Sequence, residues 1–136
     1  MLKLRKNKKG FTLVELIVVI AIMAVLAGTV AGVTVTQLNK RTDEANHTQA
    51  KKIADTIYEE LLANVETKIS ADDMKKAVED AYGSIISDTL TPGKTFKVTY
   101  AEDSATGEYT VEYKGKQGTK GDIKYKITAT GGVVKD

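Results

Sequence analysis

Lys8-Lys9-Gly10-Phe11-Thr12-Leu13-Val14-Glu15 leads directly into residues 16–28, a run without one polar side chain. Thr29 interrupts it, and apolar or small residues dominate again as far as Val35. The 25 residues from 11 to 35 would measure roughly 37 Å as a helix, enough to cross a hydrocarbon core of about 30 Å. One ionisable side chain, Glu15, lies just inside this segment. An unpaired carboxylate in lipid is costly, so Glu15 calls for a partner that the apolar run does not supply.

Ahead of the junction the charge balance reverses. Lys3, Arg5, Lys6, Lys8 and Lys9 place five positive charges and no negative ones in residues 1–10. A basic flank beside an apolar span reads as cytoplasmic, with the rest of the chain on the other side. Three readings compete. A secretory signal peptide fits the basic region and the apolar core, and Val25-Leu26-Ala27 offers a weak cleavage site. Glu15 argues against it, since a charge at the head of the core serves no purpose there. A plain amino-terminal anchor explains length and orientation but neither Glu15 nor the Gly10-Phe11 junction. The third reading comes from a family resemblance.

Lys-Gly-Phe-Thr-Leu-Val-Glu-Leu at residues 9–16, followed by uninterrupted apolarity, resembles the class III leader and amino-terminal helix of the type IV pilins and their pseudopilin relatives. The likeness covers residues 8–32; the remainder agrees in architecture only. It implies that a prepilin peptidase in the membrane cuts after Gly10 and methylates the new amino terminus at Phe11. The span, residues 11–35, then stays on the mature chain as transmembrane segment and filament core. It also implies that Glu15 pairs with the Phe11 amine of a neighbouring subunit, and that Leu13, Leu16, Ile17 and Ile20 pack between subunits. The implied partners are identical subunits in a helical filament, the peptidase, a membrane assembly platform, and the lipid bilayer before assembly. The implied location is the inner or cytoplasmic membrane for the single-pass precursor, with the head outside, and then an extracellular filament. A major pilin is the leading role. A type II secretion pseudopilin, a competence pilin for DNA uptake and a minor pilin share the same chemistry.

Composition agrees with a structural subunit. Removing residues 1–10 leaves fifteen basic against eighteen acidic residues, a formal net charge of −3. That is no nucleic-acid footprint, and no nucleic-acid contact is required. With no cysteine in the chain there is no disulfide framework and no thiolate metal site. Many pilins of diderm bacteria carry a disulfide near the carboxyl terminus, so its absence points toward a monoderm host or a pseudopilin. About a hundred residues remain for one small head with a single core.

Within the span, Ala27-Gly28-Thr29-Val30-Ala31-Gly32 is small and β-branched. Interior glycine costs about 1 kcal/mol relative to alanine in a helix. Gly28 and Gly32 therefore read either as close-packing positions or as a link that unwinds when subunits leave the membrane. The resemblance supports unwinding, although Gly32 stands where the family commonly has proline.

Residues 36–69 predict an amphipathic continuation of the same helix. Residues 37–47 are polar, with Lys40, Arg41, Asp43 and Glu44 on a solvated stretch. Ala50, Ile53, Ala54, Ile57, Leu61, Val65 and Ile69 then recur at spacings of three and four, one apolar stripe. The rest of the head is residues 70–136. Ser70-Ala71-Asp72-Asp73 resembles a capping box with Asp replacing Glu, opening a short helix over residues 71–83. Its apolar face would hold Met74, Ala77, Val78, Ala81 and Tyr82. Thr91-Pro92-Gly93-Lys94 is a turn. Period-two alternation at Phe96, Val98 and Tyr100, at Tyr109, Val111 and Tyr113, and at Ile123, Tyr125 and Ile127 predicts an antiparallel sheet over residues 95–128. The tail, residues 129–136, offers Val133 and Val134 as a fourth edge strand. The predicted fold is thus α+β and pilin-like: one long helix packed on three or four antiparallel strands, with one extra short helix.

Catalytic chemistry finds no constellation. His47, the only histidine, sits in a polar helical stretch and reads as a surface residue. The Asp72-Asp73 pair falls short of the oxygen ligands a calcium loop needs, so no metal, cofactor or catalytic residue is assigned. The glycines at 115, 118 and 121 share a lysine-bearing loop rather than a phosphate-binding turn. Asn46-His47-Thr48 matches a glycosylation acceptor only formally.

Overall fold

The structure, a computed structural model, describes residues 10 and 12–136. Phe11 and the basic residues of the leader lie outside the described residues. Helix α1, Leu13–Ala63, runs through two compact units, Met1–Gln37 and Leu38–Asp136. In the first unit its side chains are exposed throughout, and by length and composition it is sufficient to cross a membrane. In the second unit Ala50, Ile53, Ala54, Ile57 and Leu61 are buried.

Helix α1 ends earlier than the stripe predicts. Asn64 turns its side-chain amide onto the Glu60 carbonyl at 2.8 Å. Lys68 then adopts φ of 55°, a left-handed conformation that a helix cannot continue through. Residues 64–67 are turns, and Val65 leaves the stripe with 64% of its surface exposed. Ile69 still packs against the core.

Ser70 caps helix α2, Ala71–Tyr82: the Asp73 N–H donates to Ser70 Oγ at 3.1 Å. The shorter Asp73 carboxylate accepts from the Ser70 hydroxyl at 2.8 Å, in place of the backbone N–H a glutamate would reach. Met74 and Val78 are buried. Ala81, predicted on the apolar face, is exposed, and Tyr82 reaches the Thr56 hydroxyl of α1 at 2.8 Å. A 3₁₀ turn over Gly83–Ile85 replaces the last predicted helical residue.

Four strands follow: β1 Phe96–Thr99, β2 Tyr109–Tyr113, β3 Ile123–Thr128 and β4 Gly132–Lys135. They form one antiparallel meander in chain order. Val98, Val111 and Tyr125 stand side by side across three strands, as do Phe96, Tyr113 and Ile123. The alternation thus puts Phe96, Val98, Tyr109, Val111, Tyr113, Ile123 and Ile127 into one core with the α1 stripe, Met74 and Val78. β4 pairs Val133 with Ile127 and leaves Val134 at the edge.

Two expectations about polar residues fail. Asp43, read as solvated, is only 2% exposed. Its carboxylate accepts from Tyr113 Oη at 2.7 Å, from the Lys116 N–H at 2.8 Å and from the Gln117 N–H at 3.1 Å. His47, read as a surface residue, lies with Nε2 2.6 Å from the Gly121 carbonyl and its ring edge-on to Tyr113. Asn46 donates to the Gly93 carbonyl at 3.1 Å and to Tyr113 Oη at 2.9 Å, so its amide is committed within the fold. Three segments are thereby tied together: α1, residues 91–94 and residues 114–121. Gly121 is required here, because a Cβ would strike the Asp43 carboxylate. Gly118 supplies a left-handed φ of 72° at the loop tip.

Burial works against the charge on Asp43, but donors from Lys116, Tyr113 and Gln117, with His47 nearby, outweigh it. They hold its carboxyl below the ordinary value. Burial first, and the bond to Asp43 second, push the Tyr113 hydroxyl up to about 12, so it stays a donor at neutral pH.

Residues 38–136 should unfold cooperatively as an isolated fragment, followed by circular dichroism in urea. Leu61→Ala should cost about 2–5 kcal/mol, and Asp43→Ala about 3 kcal/mol by leaving buried donors unmet. Because Asp43 titrates lower when folded, its contribution is complete above the unfolded value near 3.8 and is lost as pH falls through the folded one. Asp43→Asn should remove that acid-side loss. The buried Tyr109 hydroxyl has no hydrogen-bond partner among the described residues, so Tyr109→Phe should be neutral or mildly stabilising whereas Tyr113→Phe destabilises.

Candidate functional site: the amino-terminal junction

Gly10 is exposed and belongs to no helix or strand, with nothing within 4 Å of where a Cβ would sit. The peptide bond it shares with Phe11 precedes the helix, although Phe11 itself lies outside the described residues. Thr12 then sets the start of α1. Its Oγ1 accepts from the Glu15 N–H at 3.2 Å, and the Glu15 carboxylate accepts from the Thr12 N–H at 3.2 Å. The Leu16 N–H closes the first turn on the Thr12 carbonyl at 3.2 Å.

This is a reciprocal capping box, two otherwise unmatched helix donors satisfied by two side chains. It revises the reading of Glu15. The apolar run does hold a partner, in the backbone of Thr12, and the helix dipole also favours a carboxylate in the first turn. The signal, Thr-x-x-Glu just ahead of an apolar run, stands in the sequence. A carboxylate has up to four acceptor positions, so one backbone N–H leaves capacity for a cation.

Leu13, Leu16, Ile17 and Ile20 follow at helical spacing on one face of α1. All four are at least half exposed, from 50% at Leu16 to 78% at Leu13. This is a surface with nothing in the described chain to cover it. Further on, α1 is unbroken through Gly28 and Gly32, and added Cβ atoms there would meet nothing within 4 Å. Thr29, Thr34 and Thr36 turn their hydroxyls back onto the carbonyls of Leu26, Val30 and Gly32, bonds that satisfy each hydroxyl without a partner helix. Among the described residues no group of three or more histidines and carboxylates could hold a metal ion.

Residues 5–31 match the family model described as the prokaryotic N-terminal methylation motif. No curated protein and no solved structure matches the chain. The motif spans the leader, the junction and most of the apolar helix, the same segment in which Gly10, Thr12 and Glu15 are placed. It points to a structural protein rather than an enzyme. Residues 5–31 thus carry the methylation motif of a class III leader, and in the sequence they precede an α+β head with a four-stranded antiparallel sheet, an architecture consistent with a pilin-like fold.

Proposed function

We propose that the chain is a structural subunit, a major pilin, drawn from a membrane pool into a helical type IV filament. The observation that carries this reading is that the methylation motif itself holds a capped apolar helix whose side chains are uncovered among the described residues. A signal peptide needs neither a cap nor a glutamate, and a monomeric anchor needs no motif for amino-terminal methylation. In this reading prepilin peptidase cuts after Gly10 and methylates Phe11, and the precursor sits in the cytoplasmic membrane with its head outside. A membrane assembly platform then adds it to identical subunits related head to tail, an arrangement that does not close on itself.

Glu15 contributes twice. Within its own chain it caps α1; between chains it accepts the charged amine of a neighbouring Phe11. Such a pair is strong in apolar surroundings, although desolvation offsets part of it. Leu13, Leu16, Ile17 and Ile20 supply the surrounding packing. Gly28 and Gly32 lower the cost of local unwinding on assembly. The two cap and pairing roles separate by substitution. Glu15→Gln keeps a side chain that can cap but removes the charge, whereas Glu15→Ala removes both.

Intact-mass analysis of the mature form should begin at Phe11 with one added methyl group; a chain starting at Met1 or after Ala27 would reject the processing step. A bulky residue in place of Gly10 should leave full-length precursor in the membrane. Both Glu15→Gln and Glu15→Ala should stay membrane-inserted and fail to compete with intact subunits for assembly. Normal filament yield from Glu15→Gln alone would show that capping suffices and would remove the charge pair. Gly28→Ala with Gly32→Ala should stiffen the helix by about 2 kcal/mol and slow assembly. Long surface fibres labelled by antibody to the head distinguish a major pilin from the pseudopilin, competence and minor roles.

A further inference from the structure

Four large apolar side chains of the unit Leu38–Asp136 are at least half exposed: Leu38, Leu62, Val65 and Val134. Two of them share a site. α1 stops at Ala63 and the chain turns, so Leu62 and Val65 line one cavity of about 380 Å³ with Ala63, Glu66 and Thr67. Glu59, exposed and three residues before Leu62 on the helix, adds a second carboxylate beside it. Lys68, two residues beyond Glu66, attracts Asp103.

Leu38 and Arg41 are likewise neighbours three residues apart on α1, both exposed. Arg41 is the only arginine after residue 10. The three ion pairs among the described residues join Lys75 to Glu79, Lys124 to Glu112 and Lys126 to Asp136. They leave Arg41, Glu44, Glu59 and Glu66 out. One end of this helical stretch thus offers an aliphatic side chain with a cation, and the other an apolar cavity with two carboxylates. Leu38 and Leu62 stand about 36 Å apart on one unbroken helix, so the two halves cannot meet within one molecule.

We propose that the cavity at the end of α1 receives Leu38 and Arg41 of a second copy of this chain. Leu38 enters against Leu62 and Val65, taking all three from water. The Arg41 guanidinium meets Glu66 and Glu59, whose carboxylates match its planar fork of donors. The two faces differ, so the contact is heterologous and each added copy presents a fresh half to the next. This rests on the subunit reading and names where one head grips another. A single leucine and one cation hold weakly, so the contact sets register between subunits rather than driving their association.

The test uses the full chain, expressed as the sole copy in cells that carry the assembly platform. The protein has no cysteine, so Ala45→Cys/Ala63→Cys gives a short bismaleimide two defined attachment points. Both positions are exposed; Ala45 lies one helical turn beyond Arg41, and Ala63 lines the cavity. A cross-linked ladder of dimers, trimers and larger species is expected. Each single variant and an Ala45→Cys/Ala105→Cys control should stay monomeric. Adding Arg41→Glu should cut the cross-linked fraction about ten-fold, and adding Glu59→Arg/Glu66→Arg to that should restore it. Leu38→Ser should weaken the ladder with every charge in place. Surface fibres from the unsubstituted chain, with no ladder from the double-cysteine one, overturn the contact and leave the subunit reading standing. A ladder without fibres upholds the contact and overturns the filament; neither ladder nor fibres overturns both. Dimers from a single variant reveal a symmetric face, and adducts to other proteins alone reveal a different partner. Each of those two results overturns the proposal.

Discussion

The apolar stripe of α1 can leave water only if a second layer lies across it, and that requirement organises the head. Ala50, Ile53, Ala54, Ile57 and Leu61 offer a surface one helix wide, too narrow to bury itself. The sheet supplies the other layer, and its alternation must match the stripe along its whole length. A register slip by one residue would turn Tyr109, Val111 and Tyr113 outward together. Ala50 and Ala54 belong to the same core cluster as Phe96, Tyr109 and Tyr113. The first unit of α1 obeys the opposite rule. Its apolar side chains find no covering layer among the described residues, and in the proposed reading lipid and then neighbouring subunits supply it.

Burial of Asp43 belongs to the same constraint. Where the stripe stops, α1 turns polar, and a loop carrying backbone N–H groups closes over it. A carboxylate that accepts two N–H bonds and a phenol bond satisfies a loop that forms no regular secondary structure around residues 115–117. Replacing it with an apolar group would leave those donors unmet in a dry site. The geometry of the loop, with Gly121 pressed on the carboxylate and Gly118 at positive φ, follows from that need.

The stripe, the Ser70 cap and the three alternating strands were legible because each is a local repeat or a local motif with a fixed spacing. The helix end at Ala63 was not, since Val65 and Ile69 keep the spacing and only the side chain of Asn64 and the conformation of Lys68 break it. Asp43 and His47 were misplaced for a different reason. They stand among exposed polar residues of similar character, and their partners lie some seventy residues away. The three glycines of residues 114–121 were the one trace of that closure, and glycines alone do not say what approaches them. At the junction, Glu15 stands out as the one charge in an apolar run and Gly10 through the family resemblance, while the pairing of Thr12 with Glu15 is carried by the Thr-x-x-Glu spacing.

The meander order of the sheet bears on how the head comes to be folded at all. Each strand pairs with the one before it in the chain, so every hairpin closes a short loop, and α1 is complete before any strand exists. Sequential pairing of this kind keeps the strand contacts local, which favours their early formation. Contacts between α1 and the rest of the head, such as those of Asp43, Asn46 and His47 with residues 113–121, close across about seventy residues of chain, an entropic cost best met after the hairpins have formed. Such late contacts are weak in the folding transition state and strong in the native state. They govern how slowly the head comes apart rather than how fast it folds, so the buried carboxylate of Asp43 and its neighbours act as a brake on unfolding.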